Sequence, residues 1–186
     1  AFHSGQICTA PTRVIAQRGI YDQLVAGLTQ AAKHLTVGDP LERTTVVGPV
    51  ITDVHRGRIE GYVQSARDEG AEIVVGGERP DFDKGFYVAP TLIANATNQM
   101  TAVREEIFGP VVVVVPFDDD EEAIHIANDS DFGLYSYVFS GDTGRAWATA
   151  QRLRSGNVGI NSLQRNHEAP FGGFKQSGVG RDGGSF

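Results

Sequence analysis

Five valines in succession occupy positions 111–115, between Pro110 and Pro116. A strand with one face in water alternates apolar and polar side chains, whereas this run offers no polar side chain to solvent. Such a run is typical of a strand buried on both faces, as found in parallel sheets that helices cover. The valine run therefore predicts an α/β architecture.

Strand-like and helix-like stretches alternate along the rest of the chain. Strands are predicted at 12–16, 71–75, 86–93, 135–140 and 157–161, and helices at 21–35, 52–70, 118–128 and 142–153. Helices of about 10–15 residues between strands indicate βαβ units and a largely parallel sheet. A length of 186 residues fits one domain. We expect the glycine-rich tail at 170–186 to be irregular.

Composition excludes several functions. The net charge of −7 argues against nucleic acid as the main partner, because phosphate recognition needs clustered Lys and Arg. The single Cys excludes an internal disulfide and indicates a reducing compartment, so we expect a cytoplasmic protein. No apolar run approaches the ~20 residues of a membrane span, and no signal peptide is recognisable. The five His lack metal-ligand spacing, and no metal is expected.

The single cysteine, Cys8, lies near the start of the chain in the stretch Phe-His-Ser-Gly-Gln-Ile-Cys. A thiol becomes a nucleophile only as the thiolate, so its surroundings decide its role. Because Gly5 has no Cβ, it would let the backbone approach a group bound next to the sulfur. A lone cysteine can equally be a buried structural residue, and its immediate neighbours leave both interpretations open.

Three further stretches are candidates for a site. Residues 105–110, Glu-Glu-Ile-Phe-Gly-Pro, precede the valine strand. Ligands in open parallel sheets gather beyond the carboxyl ends of strands, so this rule does not place these residues at a site. Composition alone predicts a surface turn. Residues 170–174 place two aromatics around a glycine pair, which could line a pocket or simply pack. Residues 178–183 match G-x-G-x-x-G, but no helix follows them, so we expect no nucleotide site there.

Taken together, these motifs resemble those of the aldehyde dehydrogenase superfamily. They are Phe-x-x-Gly-Gln-x-Cys ending at Cys8, Glu-Glu-Ile-Phe-Gly-Pro at 105–110, and Pro-Phe-Gly-Gly-Phe-Lys-x-Ser-Gly-x-Gly-Arg at 170–181. They occur in the family's order and at about its spacing. Residues 128–134 and 156–161 also match, so the resemblance extends over essentially the whole chain.

The resemblance implies an NAD(P)-dependent oxidation of an aldehyde to a carboxylic acid. Cys8 would attack the aldehyde to form a thiohemiacetal, hydride would pass to NAD or NADP, and water would hydrolyse the thioester. The backbone N–H of Cys8, with an Asn upstream, would stabilise the oxyanion. Glu106 would bind the nicotinamide ribose and Phe108 would pack near the nicotinamide, while His55 stands where relatives often have a ribose-contacting Gln. The apolar substrate tunnel would be lined by Phe2, Ile7, Thr9 and Phe171.

The same resemblance implies that residues 1–186 are a three-layer catalytic domain of a longer protein. The chain begins at Ala1 without Met, and we expect a fragment that lacks the cofactor domain, the general-base Glu, the oxyanion Asn and a C-terminal oligomerisation strand. We therefore expect the fragment alone to be inactive and its parent to be a homodimer or homotetramer. The aldehyde, and the choice between NAD and NADP, stay open.

Two other interpretations remain at this point. A CoA-acylating semialdehyde dehydrogenase would share Cys8 but release the thioester to CoA. A non-catalytic remnant would keep Cys8 as a structural residue.

Overall fold

The computed structural model describes residues 2–184, with Phe2 as backbone only. Where chain length alone predicts one domain, contacts between residues divide the chain into two compact units, Ala1–Phe117 and Asp118–Phe186.

The first unit is built on a four-stranded sheet. Its elements are β1 (Arg13–Gln17), α1 (Tyr21–Lys33), α2 (Asp53–Asp68), β2 (Glu72–Val75), β3 (Thr91–Ala94), α3 (Thr101–Arg104) and β4 (Val111–Phe117). The strand order is β1-β4-β3-β2; β4 pairs parallel with both β1 and β3, and β2 pairs antiparallel with β3 at the edge. The valine run thus forms a central strand, and four of its five valines are buried.

Helices cover both faces of this sheet. Leu24 of α1 packs against the core that contains Val114, together with Val74 of β2. Ile73 points to the opposite face because side chains alternate along a strand. There it lies beside Val63 of α2. A Cβ atom on Gly77 would lie 2.9 Å from Cγ2 of Ile73 and 3.3 Å from Cγ1 of Val63, so the two side chains are neighbours. The first unit is therefore a helix–sheet–helix sandwich, which leaves the sheet edges for loops.

The second unit contains two short sheets. Its elements are α4 (Asp120–Asn128), β5 (Phe132–Gly133), β6 (Tyr135–Val138), α5 (Thr143–Ala150), β7 (Asn157–Ile160) and β8 (Phe174–Lys175). Strands β6 and β7 pair parallel, whereas β5 and β8 pair antiparallel. Both helices begin at an aspartate whose carboxylate accepts a backbone N–H in the first turn, Asp119 for α4 and Asp142 for α5.

The α/β class and the largely parallel pairing are confirmed. Two details are wrong: the strand expected at 86–93 is observed only at Thr91–Ala94, and the tail, expected to be irregular, contains β8. A strand of two residues is too short for its alternation to be read in a sequence, and its partner β5 is equally short. None of the helices among residues 2–184 is long and apolar enough to cross a membrane.

Candidate functional site

Two loops meet at the edge of the sheet where its parallel strands begin. The Cys8 loop leads into β1, and residues 105–110 lead into β4. Because β1 and β4 are parallel neighbours, with Arg13 opposite Val113, the loops that precede them lie at the same edge. The expectation that residues 105–110 are no more than a surface turn overlooks this pairing.

The two loops touch through glycines. A Cβ atom on Gly5 would lie only 1.9 Å from the carbonyl oxygen of Gly109, and Gly5 has a φ of +75°. Only glycine combines this close approach with this backbone conformation. Gly5 therefore serves to bring the Cys8 loop against the loop that carries Glu106 and Phe108.

Hydrogen bonds fix the Cys8 loop to the segment that leads into α2. The hydroxyl of Ser4, a buried residue, donates to the carbonyl oxygen of Gly48 at 2.8 Å. The side-chain oxygen of Gln6 accepts from the backbone N–H of Ile51 at 3.1 Å. These two bonds anchor the loop through Ser4 and Gln6 and do not involve Cys8.

Cys8 itself is exposed, while its neighbours Ile7 and Thr9 are half-buried. It lies in a turn closed by the Ala10 N–H, which donates to the Ile7 carbonyl oxygen at 3.0 Å. Among the backbone–backbone hydrogen bonds of the loops and turns in residues 2–184, none has the Cys8 N–H as its donor. A reactant can thus reach this residue from solvent. The side chain of Phe2 lies outside the part of the chain that the structure describes.

His55 and Phe108 are brought together. Helix α2 begins at Thr52, whose hydroxyl accepts the backbone N–H of His55 at 3.1 Å. The imidazole Nε2 of His55 then lies 2.7 Å from the carbonyl oxygen of Phe108, and because a carbonyl only accepts, Nε2 carries the hydrogen. The two rings meet edge to face with centroids 6.3 Å apart. Phe108 has a φ of +58°, which a non-glycine residue rarely adopts.

The acidic pair is held by two residues that the sequence analysis did not select, Arg58 and Tyr62. The Tyr62 hydroxyl donates to Oε2 of Glu105 at 2.7 Å and accepts from Nη2 of Arg58 at 3.1 Å. The same Nη2 donates to the backbone carbonyl of Glu106 at 3.3 Å. The carboxylate of Glu106 is exposed, so the backbone of this residue is anchored while its charge faces solvent.

This network raises the pKa of two side chains, Tyr62 and Arg58. Burial raises the pKa of the Tyr62 hydroxyl, and the hydrogen bond to Glu105 raises it further. The hydrogen bond with Tyr62 raises the pKa of Arg58, and the nearby carboxylates of Glu105 and Glu106 act in the same direction. Tyr62 is therefore a neutral donor and Arg58 a permanent cation.

Phe171 belongs to the second unit, where its neighbours are residues of that unit. The guanidinium of Arg165 stacks on the Phe171 ring at 4.0 Å from the centroid, and the backbone of Phe171 pairs with Asp182. Arg181 covers Phe174 in the same way, at 4.9 Å. Within this unit the two aromatics of residues 170–174 pack against arginines.

Residues 2–184 contain no group of three or more His, Cys, Asp and Glu side chains arranged to hold a metal ion. The site therefore consists of a thiol, a carboxylate, an aromatic ring and backbone donors.

One sequence signal pointed to the residues that were missed. His55, Arg58 and Tyr62 are spaced by three and four positions, which places them on one face of a helix. Tyr62 is also one of the buried residues of α2, so its hydroxyl does not stand out in the sequence.

Comparison with known proteins gives a consistent result. The model of the aldehyde dehydrogenase family matches residues 1–186. Geranial dehydrogenase of Castellaniella defragrans is 42% identical over 97% of this chain and 37% of its own length. Betaine aldehyde dehydrogenase of Brucella melitensis is 39% identical over 98% of this chain and 38% of its own.

Solved structures agree. Betaine aldehyde dehydrogenase of Staphylococcus aureus in complex with NAD+ superposes with a TM-score of 0.94 at 44% identity, over 98% of this chain and 37% of that one. An aldehyde dehydrogenase of Mycobacterium tuberculosis complexed with NAD+ gives 0.95 at 43% identity, over 97% and 38%. The chain thus spans less than two fifths of the length of these relatives.

Proposed function

The chain belongs to the aldehyde dehydrogenase family, and from this premise we propose that its protein oxidises an aldehyde to a carboxylic acid with NAD or NADP, using Cys8 as the nucleophile. The observation that carries the proposal is the contact of Gly5 with Gly109, which brings the exposed thiol loop against the loop of Glu106 and Phe108. Nucleophile and cofactor-binding residues must be neighbours for this reaction.

We propose the following covalent steps at Cys8. The thiolate sulfur attacks the aldehyde carbon, a C–S bond forms, and the carbonyl oxygen becomes an alkoxide. The backbone N–H of Cys8 donates to that alkoxide. The cofactor, when bound, accepts the hydride that leaves this carbon. Water then adds to the resulting thioester, the C–S bond breaks, the acid leaves, and Cys8 regains its proton.

The residues near Phe108 fit such a cofactor. The exposed carboxylate of Glu106 is an acceptor-only group, suited to the hydroxyls of a ribose. The half-buried ring of Phe108 offers an aromatic surface for a nicotinamide. We include His55 in this set because its ring lies against Phe108.

For the aldehyde we propose a lining that includes Ile7 and Thr9, the half-buried neighbours of Cys8. An apolar lining keeps water away during hydride transfer. Relatives are named for geranial, betaine aldehyde and succinate semialdehyde, so the family leaves the particular aldehyde open. We propose the class of substrate and no single member.

The test uses the protein as its gene encodes it. Wild type is incubated with aldehyde and NAD+, the formation of NADH is followed by its absorbance, and the carboxylic acid is identified by mass spectrometry. Cys8→Ser should reduce kcat by about a thousandfold or more, because the hydroxyl is a much weaker nucleophile than a thiolate. Rapid quenching of wild type should yield a peptide acylated on Cys8.

Other products would redirect the proposal. Acyl-CoA in place of the acid when CoA is added would identify the CoA-acylating reaction. No turnover, together with alkylation of Cys8 by iodoacetamide no faster than that of free cysteine, would show a non-catalytic protein with a structural cysteine.

A further inference from the structure

One face of α2 contacts four of the five residues from Glu105 to Gly109. Tyr62 binds the side chain of Glu105 and Arg58 the carbonyl of Glu106. The carbonyl of Phe108 accepts from His55. Gly109 lies on Ile59, a fully buried residue, since a Cβ on Gly109 would lie 2.6 Å from its Cδ1.

We infer that this face of α2 is a clamp that positions Glu106 and Phe108 for the cofactor, with Tyr62 and Arg58 as its positioning residues; this rests on the function proposed above. The bonds take hold of backbone carbonyls and of Glu105, the neighbour of Glu106. They leave the carboxylate of Glu106 and the ring of Phe108 available. A clamp that used those groups themselves would compete with the ligand.

The loop needs such a clamp. Phe108 has a φ of +58°, and a non-glycine residue leaves that region unless its surroundings hold it. Glu105 and Glu106 are both exposed, so packing alone does not fix them. The hydrogen bonds from α2 replace the missing packing, and burial of Ile59 keeps the helix in place.

Tyr62 is the member best suited to a test, because removing its hydroxyl leaves the buried ring in place. In Tyr62→Phe, Glu105 loses its donor and Arg58 loses one acceptor. The matched control is Tyr87→Phe, which makes the same change at another buried tyrosine of the first unit. Both variants are made in the protein as its gene encodes it.

Two readouts separate positioning from general stability. We expect Tyr62→Phe to raise KM for the cofactor about fivefold, which is ~1 kcal/mol at 1.4 kcal/mol per factor of ten, with KM for the aldehyde unchanged. Amide hydrogen exchange at residues 105–109 should accelerate by a similar factor, while that of β4 stays as in wild type. Tyr87→Phe should change neither quantity.

A double-mutant cycle gives a further check. Glu105→Ala removes the bond between Tyr62 and Glu105, which Tyr62→Phe removes together with an acceptor of Arg58. Glu105→Ala should therefore have at most the effect of Tyr62→Phe, and the double variant should be no worse than Tyr62→Phe. Glu105→Gln retains an oxygen acceptor and should recover part of the cofactor KM.

The inference is overturned if exchange at residues 105–109 and the cofactor KM of Tyr62→Phe match those of Tyr87→Phe. Additive effects in the cycle would also overturn it. Absence of aldehyde oxidation in wild type would refute the proposed function instead, and the exchange rates would then decide the clamp alone.

Discussion

Replacing Gly5 with alanine tests the contact on which the proposed site depends. The new Cβ would lie 1.9 Å from the Gly109 carbonyl oxygen and 2.8 Å from the Pro110 nitrogen. Both are backbone atoms, so no side chain can rotate away. The two loops would have to separate by about 1 Å or more to regain van der Waals distance. The φ of +75° adds roughly 1–2 kcal/mol for a residue with a Cβ.

Both the activity and the stability of this variant should fall. A displacement of about 1 Å between reacting groups can cost on the order of a hundredfold in rate, so kcat/KM of Gly5→Ala should fall by about that factor. Overpacking and strain together should lower the free energy of unfolding by about 2–4 kcal/mol. Initial rates of NADH formation and urea denaturation measure the two quantities.

Gly27→Ala is the matched control. Gly27 lies in α1, and a Cβ there meets nothing within 4 Å. Alanine is the better helix former, so this variant should be more stable than wild type by up to about 1 kcal/mol, with unchanged kcat/KM. The reasoning is refuted if Gly5→Ala keeps kcat/KM within about threefold of wild type.

Two further predictions concern the helices. Thr52→Ala removes the oxygen that accepts the His55 N–H and should destabilise the protein by about 1 kcal/mol in urea denaturation, whereas Thr52→Ser should retain wild-type stability. The hydrogen bond from Arg145 lowers the pKa of Asp120 in the folded protein. The ionised carboxylate of Asp120 therefore stabilises the fold fully at pH values above the pKa of Asp120 in the unfolded chain, and this stabilisation is lost as the pH falls through the lower pKa of the folded state. Asp120→Asn should therefore melt below wild type at pH 7, and the gap should close as pH falls below about 4; an equal gap at pH 7 and pH 3 would contradict the assignment.

Much of the fold could be predicted from the sequence because its elements are long or strongly patterned. The valine run at 111–115 forms the first five of the seven residues of β4, and the helix expected at 52–70 is observed at Asp53–Asp68 behind its Thr52 cap. The elements that were missed, α3, β5 and β8, have four residues or fewer. One turn of helix or two strand residues are too short for a period to emerge, and tertiary contacts decide their conformation.

The residues of the candidate site likewise divide into those that the sequence identified and those that it did not. Cys8, Glu106 and Phe108 were selected because they stand in motifs that resemble a known family. Arg58 and Tyr62 stand in no such motif. A helical pattern tells which face of α2 is buried, but not that its polar tips meet a loop more than forty residues further along.

Strand order explains why these distant residues meet where they do. Helix α1 packs against the sheet. The chain that follows it then passes the Cys8 loop, where the side-chain oxygen of Gln6 accepts the backbone N–H of Ile51 just before α2 begins. Helix α2 therefore starts beside the Cys8 loop and lies along residues 105–109. Sequence periodicity contains no information on strand order. The rule that places ligands at the carboxyl ends of parallel strands therefore predicted a site at the opposite end of the sheet from the Cys8 loop. It follows that substitutions at Gly5 or Tyr62 should impair the proposed reaction as specifically as substitutions at residues 105–109, although neither residue need touch a reacting atom.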